Sequence, residues 1–175
     1  EGLFFQKGYG FVPVLSKKEN VTALCVSPSD CNIWVGTLGN GVYLVDTEGH
    51  TIRHLQEREM HANGSVLSIA GSGEQVWLAT LGGVSVLNEK TLQPEKGISL
   101  DQVGNNYVYK VLTDSKGRVW FATDGKGLMV YEHGAFRAFD KAGEVALRTI
   151  YSLVEDHRGN IWFSTAKDGV FCFDG

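Results

Sequence analysis

Asp114-Ser115-Lys116-Gly117-Arg118-Val119-Trp120-Phe121-Ala122-Thr123 runs directly into Asp124-Gly125-Lys126-Gly127-Leu128-Met129-Val130-Tyr131. Asp first and Gly fourth suits a type I turn, with Gly117 free to take the left-handed place. The β-branched, Trp, large apolar, small, Thr run that follows reads as one strand. Gly125 and Gly127 then supply the positive φ that a tight turn between antiparallel strands needs. Leu128 to Tyr131 is the next strand, and the β-rich run beginning at Val108 is the one before. The stretch predicts an antiparallel meander.

The same sentence occurs four times. Trp34, Trp77, Trp120 and Trp162 stand 43, 43 and 42 residues apart. Each is followed, three residues on, by Thr37, Thr80, Thr123 or Thr165, and then by a Gly turn and another strand. The Asp-x-x-Gly turn recurs at Asp156 to Gly159. Cys31 stands where Gly117 and Gly159 do, and the second repeat is one residue shorter there. A fourth, outermost strand is expected at Tyr9 to Leu15, Thr51 to Leu55 and Ala135 to Phe139. Near Leu92 it is weakened by Pro94, which cannot donate to a ladder.

Periods of about 43 residues with four short strands are the sign of β-propeller blades. The fold class expected is therefore all-β, with blades of four antiparallel strands forming an arc of a larger, six- to eight-bladed propeller. Residues 1–20 read as the end of a preceding blade, 21–65, 66–107 and 108–149 as blades, and 150–175 as the first three strands of a last one. Gly2-Leu3-Phe4-Phe5 matches Gly41-Val42-Tyr43-Leu44, so the N-terminus supplies a third strand that Val170 to Phe173 also supplies. That redundancy argues against a closed four-bladed ring. The chain opens on Glu1 and its first Met is Met60, as expected of an excised piece. Blades pack face to face, so Trp34 and Gly36 should meet one neighbour and Val35 and Thr37 the other.

Composition narrows the function. Sixteen Lys and Arg against 20 Asp and Glu give a net charge of −4, with the basic residues scattered. That speaks against a nucleic-acid groove or contact with an anionic membrane. Apolar runs are far shorter than the ~20 residues of a membrane-spanning helix. The three cysteines include no C-x-x-C, so a disulfide framework is not expected.

The sentence D-x-x-G-x-[IV]-W-[FVL]-[GAS]-T, followed by a Gly turn, resembles the two-component regulator propeller repeat. The likeness is clearest at 114–131 and 154–173 and weaker at 28–46 and 71–88. Streptogramin-lyase-type propellers use a similar sentence. The first resemblance implies an extracytoplasmic, periplasmic sensor region of a membrane-bound hybrid histidine kinase, often one controlling carbohydrate use. No kinase motif lies in this chain, so signalling chemistry would belong to a longer parent.

The candidate ligand residues lie in the turns between second and third strands, which share one face of the disc: Asn40, Asp124, Lys126, Lys167 and Asp168. Their polarity suits a small molecule or an oligosaccharide, and solvated turns look the same. Protein partners or self-association are expected from blade faces left open. Trp34, Trp77, Trp120, Trp162, Thr37, Thr80, Thr123, Thr165, Gly117 and Gly159 read as structural. No catalytic residue, metal or cofactor is expected: His50, His54, His61, His133 and His157 show no ligand spacing. The leading reading is a non-catalytic sensory propeller. The rivals are a propeller lyase or hydrolase of the streptogramin-lyase type and a purely structural scaffold.

Overall fold

A computed structural model describes residues 2–15, 18–96, 98, 103 and 107–174. The N-terminal residues form a two-stranded hairpin, β1 (Phe4–Lys7) and β2 (Gly10–Pro13). The first blade is β3 (Val21–Val26), β4 (Ile33–Thr37), β5 (Val42–Val45) and β6 (Thr51–Leu55). One helical turn, α1 (Glu57–Met60), leads into the second blade, β7 (Val66–Ser72), β8 (Gln75–Thr80) and β9 (Gly83–Asn88). The third is β10 (Val108–Thr113), β11 (Val119–Thr123), β12 (Leu128–Glu132) and β13 (Ala135–Phe139). A small hairpin, β14 (Lys141–Ala142) and β15 (Val145–Ala146), precedes the last blade. That blade is β16 (Ile150–Glu155), β17 (Ile161–Thr165) and β18 (Val170–Phe173). Every blade is an antiparallel meander in sequence order.

The second blade departs from the four-strand expectation. Its outermost strand is reduced to a single bridge between Leu87 and Pro94, because the proline nitrogen has no hydrogen to give. The N-terminal hairpin does not complete the last blade: the two belong to separate sheets. Instead Leu3, Val14 and Leu15 pack with Val35, Tyr43 and Val45 on the outer side of the first blade.

The inner strands β3, β7, β10 and β16 pack in succession. Each carries a register shift one residue in, at Val21/Ala23, Val66/Ser68, Val108/Lys110 and Ile150/Ser152. A bulge at that place adds local twist to the innermost strand. Between blades lie three apolar clusters, each built on one tryptophan: Trp34, Trp77 and Trp120, all fully buried. Gly36 faces the second blade, and a Cβ there would already touch Val66 and Ile69 at 3.0 and 3.3 Å. Trp162, expected between blades as well, is 41% exposed. It lies on the side of the last blade that no sheet of the described residues covers.

The recurring threonines lock the turns. Thr37, Thr80, Thr123 and Thr165 each donate from Oγ1 to a turn glycine carbonyl, Gly41, Gly83, Gly127 and Gly169, at 2.7–3.1 Å. Gly117 and Gly159 have φ of +78° and +82°. Cys31, in the matching place, is held at +61°. A side chain in that region costs about 1 kcal/mol. Cys31→Gly is therefore expected to stabilise the chain by about 0.5–1 kcal/mol, read as a melting temperature a few degrees higher.

Candidate functional site

One face of the arc is built from turn-to-link hydrogen bonds. The turns between second and third strands are tied to link backbone, in the first and third blades to the link that leads into the next blade and in the second and last to the link that enters the same blade. Gly39 and Gly41 N–H both donate to Gly64 O at 3.1 and 2.8 Å, and Leu81 N–H donates to Ser65 O at 3.1 Å. Gly125 and Gly127 N–H both donate to Arg148 O at 2.8 and 3.0 Å, and Ala166 N–H to Thr149 O at 3.1 Å. The approach is so close that a Cβ on Gly41 would lie 2.1 Å from Leu55 O, and one on Gly127 2.3 Å from Leu147 O. Glycine is required at both places for space as well as for φ.

Two of the five candidate ligand residues are engaged within the fold. Asn40 donates from Nδ2 to both Glu19 carboxylate oxygens at 2.9 and 3.1 Å. Tyr43 donates its hydroxyl to Glu19 Oε1 at 3.1 Å, and its ring stacks on His54 with centroids 3.9 Å apart. Burial, and then the Glu19 charge, push the Tyr43 hydroxyl up to about 12. His54 Nε2 meets Asn40 O at 2.7 Å, which closes the network. Asp124 Oδ1 accepts from Thr149 Oγ1 at 2.8 Å and so clasps the third blade to the link.

Lys126, Lys167 and Asp168 point to solvent. Lys167 and Asp168 line a cavity of about 430 Å³ with Val145, Ala146, Arg148, Thr149, Thr165 and Ala166. The sequence reading missed Arg148 and Thr149, which come from the link and not from a turn. The only signal for them was the length of the segment between Phe139 and Ile150, where β15 forms one lip of the cavity. A related cleft of about 360 Å³ lies one blade pair earlier, between Gly39-Asn40-Gly41 and Gln56-Glu57-Arg58. Arg148 and Lys167 bring two cations and Asp168 a carboxylate to one concave surface, an arrangement suited to hydrogen-bonding a polar ligand.

The opposite face carries the turns between first and second strands, and its polar groups serve the fold. Asp114 accepts from Trp120 Nε1 at 2.7 Å and Arg118 Nε at 2.6 Å, all three side chains being buried. Burial raises the Asp114 carboxyl, but the bonds from Trp120 and Arg118 outweigh it and hold it below the usual range. Asp156 repeats the arrangement with Trp162 Nε1 at 2.9 Å and Asn160 Nδ2 at 2.9 Å, and these bonds also hold it low. Ser27 and Ser72 hold the register position of Asp114 in the first two repeats, paired with Asn32 and Gln75 as Asp114 is with Arg118. The indole N–H groups of Trp34 and Trp77 accordingly have no hydrogen-bond partner among the described residues. Between blades, Glu155 accepts from Ser115 N at 2.9 Å, and Glu89 accepts from Ser27 Oγ.

The histidines do not converge. His50 is exposed beside Asp46, His61 and His133 sit at turns with positive φ, and His157 lies in the turn before β17. Among the described residues no group of three or more His, Cys, Asp or Glu side chains is placed to hold a metal. Among them, too, no helix is long and apolar enough to cross a membrane.

Successive antiparallel meanders of three or four strands, stacked face to face around inner strands, define a β-propeller, here a partial one with its ring unclosed. The two-component regulator propeller family model matches residues 102–125 and 146–167. No curated protein matches the chain. Its fold is similar to the extracellular domain described as that of hybrid two-component system BT3049 of B. thetaiotaomicron. That match has a TM-score of 0.71 and 17% identity, over 99% of this chain and 27% of the other. The BT4673 extracellular domain of the same organism matches with a TM-score of 0.72 and 21% identity, over 98% of this chain and 22% of that one. The WD40 propeller of Doa1 matches with a TM-score of 0.70 and 13% identity, over 95% and 55%. At these identities the likeness is one of fold. The chain spans about a quarter of the length of the two-component domains.

Proposed function

We propose that this chain is a non-catalytic, sensory portion of an extracytoplasmic propeller from a two-component receptor. It binds a small polar ligand, such as a saccharide, on the face where turns meet links. The observation that carries the reading is positional. The two matched repeats, 102–125 and 146–167, include Arg148, Thr149, Thr165 and Lys167, which line the 430 Å³ cavity, and Asp124, which holds Thr149 in place. Arg148 and Lys167 are exposed in that wall, as a binding surface requires.

The test is a thermal-shift screen of mono- and oligosaccharides, neutral and acidic, against the chain and an Arg148→Ala/Lys167→Ala variant. A saccharide that raises the melting temperature of the parent is expected to leave the variant unshifted. A saccharide that shifts both equally would remove the cavity from the reading. Lys126→Ala, outside the cavity lining, should behave as the parent does.

A further inference from the structure

Each inner strand skips one residue where its bulge falls, and the skipped residues are Thr22, Leu67, Tyr109 and Tyr151. A bulge frees its extra side chain from the cross-strand ladder and re-aims it, and bulges gather beside binding sites. All four lie at the end of the inner strand nearest the turns and links, because the residue before each pairs with the threonine that ends the second strand. Two of them serve the fold. Thr22 donates its hydroxyl to Val66 O of the next blade, and Leu67 is half-buried.

In the third and last blades the skipped residue is a tyrosine. The two rings meet from one blade to the next with centroids 5.2 Å apart and planes tilted by 59°, an open V. Tyr109 has a blade on either side and is still only half-buried, so the position stays open inside the arc. Tyr151 is 51% exposed, and Tyr107, two residues before Tyr109, is 47% exposed. Asp124 is their polar neighbour. Its N–H donates to Tyr107 O at 2.8 Å, and its Oδ1 accepts from Thr149 Oγ1 at 2.8 Å. The Tyr109 hydroxyl lies against the same carboxylate; burial first, and then the Asp124 charge, push that hydroxyl up. Thr149 also lines the cavity of Arg148 and Lys167, so the tyrosines and that cavity are neighbours.

We propose that Tyr109 and Tyr151, with Tyr107 beside them and Asp124 at their rim, form a stacking platform for a neutral pyranose ring. The inference rests on the saccharide reading above and deepens it, by giving the ligand a place at the propeller axis beside the cavity. A pyranose has faces lined by C–H groups and a rim of hydroxyls. Phenol rings are rigid, amphipathic surfaces that cover such a face at small cost in side-chain entropy. A carboxylate at the rim accepts from the hydroxyls in charge-assisted hydrogen bonds. An organic cation also sits over aromatic faces, but it is disfavoured here. The V is open instead of caged, and Arg148 and Lys167 place positive charge on the same face.

The experiment titrates the 175-residue chain with methyl glucoside, methyl galactoside, cellobiose and maltose, and reads binding by saturation-transfer difference NMR. The C–H protons of one ring face should saturate most strongly, as stacking requires. Tyr151→Ala is expected to raise Kd about tenfold. Its far-UV spectrum should match the parent, because the side chain is exposed. Tyr151→Phe keeps the ring face and should bind within about twofold of the parent. The Arg148→Ala/Lys167→Ala variant separates this inference from the reading it deepens. Binding lost in Tyr151→Ala and kept in the double variant upholds the platform and removes the cavity. Binding lost in both upholds the platform as one part of a site that spans the two. Binding lost in the double variant alone overturns the platform and leaves the cavity standing. The platform is also overturned if Tyr151→Phe loses as much as Tyr151→Ala, or if no probe receives saturation. Tetramethylammonium binding that Tyr151→Ala abolishes, with the sugars silent, overturns it in favour of a cation site.

Discussion

Trp120→Ala should lower the stability of the chain by about 3–5 kcal/mol. The indole is fully buried and is ringed by Phe139 and Phe173, with centroids 5.9 and 5.3 Å away, and by Arg118 at 4.9 Å. Truncation removes the ring from between the third and last blades and leaves a cavity that β sheets on both sides are too constrained to collapse. A domain's whole stability is about 5–15 kcal/mol, so the loss should be visible as an early urea midpoint. Trp120→Phe separates the two contributions. It keeps most of the packing and gives up the N–H to Asp114, so about 1–2 kcal/mol is expected. A midpoint for Trp120→Ala indistinguishable from the parent would mean that the ring is not buried between blades.

Asp114→Ala should cost about as much, roughly 3–5 kcal/mol, for an electrostatic reason. It removes the acceptor of both the Trp120 N–H and the Arg118 guanidinium, and Arg118 is left buried without its counter-charge. Arg118→Gln added to Asp114→Ala is expected to recover much of the loss. The chain already carries an uncharged pair in that register twice, Ser27 with Asn32 and Ser72 with Gln75. The acid profile follows from the lowered carboxyl. A group whose folded value lies below its unfolded value of about 3.9 stabilises fully above that value and less as pH falls through the lowered one. Asp114 and Asp156 are both held low, so stability should fall as pH drops below about 4. Asp114→Asn should flatten that fall in urea midpoints taken across the acid range. An unchanged slope would show that the carboxylate contributes nothing through its charge.

The blade register was legible because one residue type, tryptophan, occurs once per repeat and nowhere else. Thr and Gly at fixed offsets then placed the turns, and each Thr hydroxyl is found on a turn carbonyl. What could not be read depends on neighbours in space. Nothing in Val21-Thr22-Ala23 announces a bulge. Asn40 and Asp124 look like free polar turn residues, and only the fold shows that Glu19 and Thr149, distant in sequence or in the next link, engage them. Arg148 went unnoticed for the converse reason: it lies in a link with no motif. The exposure of Trp162 is a matter of what stands beside the last sheet, which a repeat sentence does not encode.

The ties between turns and links are made by backbone groups: Gly39, Gly41, Gly125 and Gly127 N–H on one side, Gly64 and Arg148 carbonyls on the other. Whatever side chains the residues between those glycines carry, the distance from one blade to the next is held by the same peptide hydrogen bonds. The disc face is in that sense a display surface decoupled from its scaffold. Lys126 can be exchanged, and Arg148 can keep its carbonyl while changing its head group, without altering the spacing of the sheets. A ring built this way can acquire a new specificity one loop at a time, with each intermediate still folded.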